Sequence, residues 1–204
     1  DWYRKPGKSQ TFDTGKLVEI APGKDTLIDG IQKAGKGGIV KLAPGDYEVG
    51  KVITLDHAVT VRAKGDAKIT FERSSLFEIR DGGAIKLSGL EISGESAPDY
   101  AGNSVIRTSR YSMLDNYEVV IENSLIYDLD VNRFFDVLAG FKGTMADRIT
   151  ITDSTFSEIS GAVLKLDAET DDLGIYNADY VTIRGSSFSN IQGPLVALYR
   201  GGTD

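Results

Sequence analysis

The sequence predicts an all-β chain: a single-stranded right-handed parallel β-helix, or solenoid, with a short N-terminal capping helix. Three observations carry that expectation. A ten-residue pattern recurs four times along the chain, each copy is preceded by a further short alternating apolar piece, and glycine, at 23 of 204 residues, exceeds the roughly 7% of an average protein. Self-similarity at a spacing of about 30 residues is the mark of a repeat architecture, so it is read before anything else.

The copies begin at Gly83, Tyr117, Asp147 and Asp179. Anchored on Leu87, Ile121, Ile151 and Ile183, they lie 34, 30 and 32 residues apart. Two positions before the anchors stand Ile85, Val119, Ile149 and Val181; five after stand Ile92, Ile126, Phe156 and Phe188. Leu129, Ile159 and Ile191 follow eight after the last three anchors. Apolar alternation at period two is a strand signal. It breaks phase two residues after each anchor, at Gly89, Asn123, Asp153 and Gly185, residue types that accept a left-handed corner. The additional alternating pieces are Leu76–Ile79, Val105–Ile106, Phe135–Leu138, Val163–Leu166 and Leu195–Leu198. Each rung therefore offers three short strands, and inward aliphatics of successive rungs stack at about 4.8 Å.

Toward the N-terminus, Asp25 to Gly35 carries a capping-type aspartate, apolar Leu27, Ile28, Ile31 and Ala34 on one helical face, and a glycine stop. This helix is the expected cover for the open first rung. The stretch Gly38 to Val49 then reads as strand, Pro-Gly turn and strand, followed by strands at Val52–Leu55, Val59–Val61 and Ile69–Phe71. Residues 1–20 are expected to form a linker and first strand, and residues 21–204 the β-helix, continuing beyond 204 in a longer protein because no comparable cap is visible at Tyr199 to Asp204.

Composition removes several classes of function. With 41% hydrophobic residues the chain can build a core rather than remain disordered. The absence of cysteine excludes disulfides, thiolate zinc sites and cysteine nucleophiles. No apolar run approaches the ~20 residues of a membrane span. Lys and Arg total 23 against 30 Asp and Glu, a net charge of −7. Residues 1–102 contain 15 basic and 15 acidic groups and residues 103–204 contain 8 and 15, so a nucleic-acid partner is excluded for want of a basic field.

Few residues qualify for chemistry. His57 is the only histidine and reads as an exposed turn residue; a His-based metal site is excluded. The clusters Gly35–Gly38 and Gly82–Gly83 lack phosphate-loop spacing and read as turns. Asp167 to Asp172 gathers four carboxylates without the ordered spacing of a calcium loop and reads as solvated. Stacking suggests a more specific site. Arg107, Lys165 and Arg200, each near the end of the third strand of its rung, would form a basic column with Tyr199 beside it. Cations matching uronate carboxylates, with a flat ring for a sugar face, are what an acidic polysaccharide requires. The competing reading is that these charges pair with neighbours such as Glu122 or Asp167. Tyr100, Tyr111 and Tyr176 are further loop aromatics.

The order of helix cap, Ile39 to Tyr47, rungs with Ile-x-Asn/Asp-Ser-x-Phe/Ile, and the ending Gly193 to Asp204 with its Tyr-Arg-Gly-Gly-Thr-Asp resembles the C-terminal β-helix domain of polysaccharide lyase family six. That family contains alginate lyases and chondroitinase-B-like enzymes. The resemblance covers nearly the whole chain and implies that Trp2 to Arg4 belong to a linker from a preceding catalytic β-helix domain. In such lyases a lysine base and an arginine acid act with Ca²⁺, which masks the uronate carboxylate so that the adjacent proton can be removed. The family motifs Asn-Lys-Ser and Arg-His-Gly do not occur here, so no catalytic pair is assigned and no cofactor is expected in this segment, Ca²⁺ belonging to the catalytic domain of the parent protein.

The expected function is thus a supporting, non-catalytic domain of a secreted or periplasmic alginate-type lyase. Its partners would be an anionic polysaccharide, the preceding catalytic domain and, in a homodimer, a second copy. An autonomous polyuronate lyase with its site on the loop-bearing face, and a carbohydrate-binding or adhesion module, are the alternatives.

Overall fold

The protein is described from a computed structural model, which describes residues 11–64, 66–170 and 177–199. Its elements follow the repeats. An N-terminal partial coil holds β1 (Leu17–Ile20), β2 (Gly23–Lys24) and helix α1 (Thr26–Ala34). Coil one is β3 (Gly38–Leu42), β4 (Gly45–Val49) and β5 (Ile53–Leu55); coil two is β6 (Ala58–Arg62), β7 (Ala67–Phe71) and β8 (Ser75–Ile79). Coil three is β9 (Ala84–Ser88), β10 (Glu91–Ser93) and β11 (Ser104–Thr108), and coil four β12 (Tyr117–Glu122), β13 (Leu125–Tyr127) and β14 (Asp136–Ala139). Coils five and six are β15 (Ala146–Thr152), β16 (Thr155–Ile159), β17 (Leu164–Leu166), then β18 (Ala178–Arg184), β19 (Ser187–Ile191) and β20 (Val196–Leu198).

Strands of successive coils pair in parallel into three sheets of seven, seven and six strands. This is a parallel β-helix. The first sheet runs β1-β3-β6-β9-β12-β15-β18, the second from β2 to β19, and the third from β5 to β20. The register stacks the residues that define the repeat: Ile85 on Val119 on Ile149 on Val181, and Leu87 on Ile121 on Ile151 on Ile183. In the second sheet Ile92, Ile126, Phe156 and Phe188 form one column, the last two rings stacked at 5.2 Å. These side chains, with Tyr47, Phe71, Phe77 and Phe135, form one continuous core, against which Val181, Ile183 and Phe188 of the last coil pack partly buried. A fully buried Leu or Phe contributes about 1.5–3 kcal/mol, so the columns dominate the favourable side of folding.

The corners are equally regular. Gly89, Asn123, Asp153 and Gly185 all have φ between 50° and 67°, the left-handed conformation for which such residues are suited. Serines follow the last three of them and form a second ladder. Ser124 Oγ donates to the Glu122 carbonyl and accepts from Leu90 N, and Ser154 Oγ donates to the Thr152 carbonyl and accepts from Ser124 N. Ser186 Oγ receives Ser154 N in the same way at 3.1 Å. Each hydroxyl thereby satisfies a backbone N–H that the sheet hydrogen bonds cannot reach at the corner.

Helix α1 lies against β1, β3 and β4, with Leu27, Gly30, Ile31 and Ala34 buried. It covers the first coil as its apolar face predicts. The capping role of Asp25 differs from expectation. Asp25 has φ 58° and makes no side-chain cap; its Oδ1 instead accepts from Gly50 N at 2.7 Å, tying the helix entrance to the corner after β4. At the other end Val196 and Leu198 are 38% and 39% exposed, whereas Leu164 one coil back is fully buried.

Two substitutions test this account. Ser154→Ala strips Ser124 N of its partner at a buried corner and is expected to lower stability by about 1–3 kcal/mol, measured by urea unfolding. Tyr117 Oη is buried without a hydrogen-bond partner among the described residues, so Tyr117→Phe is expected to raise stability by about 1 kcal/mol or more. A destabilised Phe variant would show that the hydroxyl is satisfied.

Candidate functional site: an arginine cleft on the third sheet

Outward positions of the third sheet stack as Thr54, Glu78, Arg107, Ala139, Lys165 and Ala197. Arg107 and Lys165, expected from the sequence to lie in one basic column, do share a column, with an alanine between them. Ala139 separates them by two strand spacings, roughly 10 Å, and Ala197 sits over Lys165. Lys165 Nζ pairs with Asp167 Oδ1 at 2.9 Å. Tyr199, 58% exposed, follows β20. Arg200, Tyr176 and the Gly-Gly-Thr-Asp ending lie outside the described residues.

Around Arg107 the surface opens into a cleft of about 660 Å³, bordered by Ser74, Glu78, Arg80, Asp81, Arg107, Arg110, Tyr111 and Met113. Its floor is an ion-pair chain across two coils. Arg107 gives Nε and Nη2 to Glu78 Oε2 at 2.9 and 2.7 Å, and Nη1 to Ser74 Oγ at 3.2 Å. Arg80 Nε reaches the other oxygen, Glu78 Oε1, at 3.1 Å. Burial pushes the Glu78 carboxyl up, but the Arg80 and Arg107 guanidiniums outweigh this and hold it below its usual value. The strand explains the arrangement: Glu78 is the outward residue between buried Phe77 and Ile79, and Arg80 lies just past the strand end.

One wall is the loop after β11. Tyr111 N bonds Ser109 Oγ, Met113 N bonds the Gly143 carbonyl, and Leu114 N and Asp115 N both donate to Asp81 Oδ1 at 2.8 Å. The loop is thereby tethered while Tyr111 stays 83% exposed. Arg110 lies over the Phe141 ring at 5.9 Å and makes no ion pair among the described residues. Three arginines face Glu78 and Asp81, leaving a locally positive site on a chain of net charge −7. The arrangement can receive an anion: its guanidiniums remain protonated, Glu78 has both oxygens engaged, and Asp81 Oδ1 accepts the two loop N–H groups.

The other candidates fare as follows. His57 is only partly exposed, its Nδ1 2.6 Å from Asp56 Oδ1 and its Nε2 buried without a partner. The acidic stretch from Asp167 is not simply solvated, for Glu169 is 3% exposed and its Oε2 accepts from Gly143 N; Asp171 and Asp172 lie outside the described residues. Glu122 pairs with Lys86, not with the arginines. Sequence reasoning missed Arg80, Arg110 and Glu78. The only available signal was the spacing Glu-x-Arg at 78–80 and Arg-x-x-Arg at 107–110.

Asp136, on the strand between those of Arg107 and Lys165, supplies a pH test. Burial raises its carboxyl to about 6, against the pull of the Ala162 N–H bond and of Lys165. The folded state then binds this proton more tightly than the unfolded chain, whose aspartate titrates near ~4. Its contribution to stability is greatest below pH ~4 and is lost as pH rises toward 6. Asp136→Asn is expected to be more stable than the parent by roughly 2–3 kcal/mol at pH ~7 and nearly equal at pH ~4; equal urea midpoints at both pH values would refute it.

Comparison with known proteins was informative at the level of structure alone. No family model and no curated protein sequence matches the chain. Among solved structures, PL6 family alginate lyase AlyGC is similar over 100% of this chain, with 43% identity and a TM-score of 0.91. An arginine-to-alanine mutant of that lyase matches with the same values. The chain spans 28% of the length of that lyase.

Proposed function

Since this chain is related along its whole length to a segment of a polysaccharide lyase of family six, we propose that it is a supporting, non-catalytic β-helix domain of a lyase that cleaves alginate-like polyuronates by β-elimination. The observation that carries the reading is the arginine cleft. Elimination needs a base for the proton next to the carboxylate and an acid for the departing sugar oxygen. The cleft offers cations and an exposed tyrosine, which suit holding a uronate, while Glu78 has both oxygens on arginines and Asp81 holds the loop through Oδ1. The whole-chain similarity supports a lyase, and the chemistry of this site supports binding rather than turnover.

In this reading the chemistry resides in a preceding catalytic β-helix domain, and the parent protein, which also forms a homodimer, is secreted or periplasmic, where long polysaccharides are met. Among the described residues no helix is long and apolar enough to cross a membrane. Among them, too, no group of three or more His, Asp or Glu is arranged to hold a metal ion. In this reading Ca²⁺ belongs to the preceding catalytic domain, and we assign no calcium step to this segment.

The chain mixed with alginate is expected to bind it, seen by calorimetry at low salt, without generating the ultraviolet absorbance of unsaturated sugar. Arg110→Ala is expected to weaken binding about tenfold, the loss of one charge-assisted contact. Product from the chain alone would make it an autonomous lyase. No binding at all would leave it a purely structural domain.

A further inference from the structure

Within the cleft the three arginines are not equivalent. Arg107 spends all three guanidinium nitrogens on the protein, Nε and Nη2 on Glu78 and Nη1 on Ser74, and its side chain is only 16% exposed. Most of its N–H donors are thus committed to the protein, which leaves it the least available of the three to a ligand. Arg80 is 57% exposed and gives the protein only its Nε, on Glu78 Oε1. Tethered there, its two Nη groups form the free end of a planar fork. Arg110 stands over Phe141 with no ion pair among the described residues. Glu78 links the two levels of the cleft: its side chain is 13% exposed, and one oxygen is fixed by Arg107 while the other fixes Arg80.

We propose that Glu78 is a positioning residue that orients Arg80, so that the cleft recognises a single carboxylate of an anionic sugar between the Arg80 fork and Arg110. The inference rests on the reading of the cleft as a contact for an anionic polysaccharide, and assigns that contact to residues other than Arg107 and Lys165. A planar guanidinium held by Nε presents two parallel N–H donors to a planar carboxylate, a match an ammonium does not reproduce. Without its tether Arg80 has four side-chain torsions to order on binding, which costs affinity. The loop that carries Arg110 is held to Asp81 at Leu114 N and Asp115 N, and Arg110 borders the same cleft as Arg80.

The test is calorimetric titration of the chain with short oligouronates, in parallel with NMR of the Arg80 guanidinium signals. Arg80→Ala and Arg110→Ala are each expected to weaken binding about tenfold, and Arg80→Lys nearly as much as Arg80→Ala. Glu78→Gln is expected to weaken binding by a similar factor even though it leaves the cleft more positive, and to abolish the restricted rotation of Arg80. Simple charge attraction predicts the opposite sign. If the wild-type chain binds and Glu78→Gln binds equally or more tightly, this inference is overturned and the reading of the cleft survives. Should Glu78→Gln fail to fold, Arg80→Lys decides: affinity equal to wild type overturns the fork. Absence of binding by the wild-type chain overturns both.

Discussion

Everything in this molecule depends on the parallel hydrogen-bonded ladder between one coil and the next. Each coil has too few residues to enclose a core of its own, so a strand is stable only when its neighbours above and below supply backbone partners and apolar cover. The register is held from coil to coil in all three sheets, with one irregularity at Tyr117/Glu118. Like stacks on like. The corner serines extend the same rule to the places where sheet bonding stops, each hydroxyl serving its own coil and the next.

That ladder also brings charged groups together that are distant in sequence. Glu78 and Arg107 are 29 residues apart yet are direct cross-strand neighbours. Spacing of about 4.8 Å between strands lets long side chains bridge coils, whereas a loop of any length can be inserted between strands without disturbing the stack. The loop after β11 uses that freedom. It rises beside the third sheet, is fastened at Asp81 and Gly143, and turns a flat sheet face into a cleft.

The same close stacking exacts costs. Asp136 is almost fully buried, with its Oδ1 held by Ala162 N, and a side chain at Gly161 would overlap that oxygen. Among the described residues Tyr117 Oη has no partner. Such groups lower net stability, which the long apolar columns tolerate. The N-terminal end has α1 over its core, while the last described coil leaves Val196 and Leu198 partly exposed. Helix α1 is where amphipathic patterning and solenoid topology agree most simply.

The fold was legible in the sequence because the inward positions obey a strict physical rule. Ile85, Val119, Ile149 and Val181 must stack, so they recur at fixed offsets from Gly89, Asn123, Asp153 and Gly185, whose positive φ turns each corner. The site was only partly legible. Arg107 and Lys165 share the column that stacking suggested, but Ala139, Ala197 and the Glu78 partner were not seen. The third sheet follows loops of unequal length, so its outward register cannot be counted from the corners. Outward side chains obey no packing rule of their own, and only the completed stack decides which charges meet, which are neutralised and which remain free to hold a ligand.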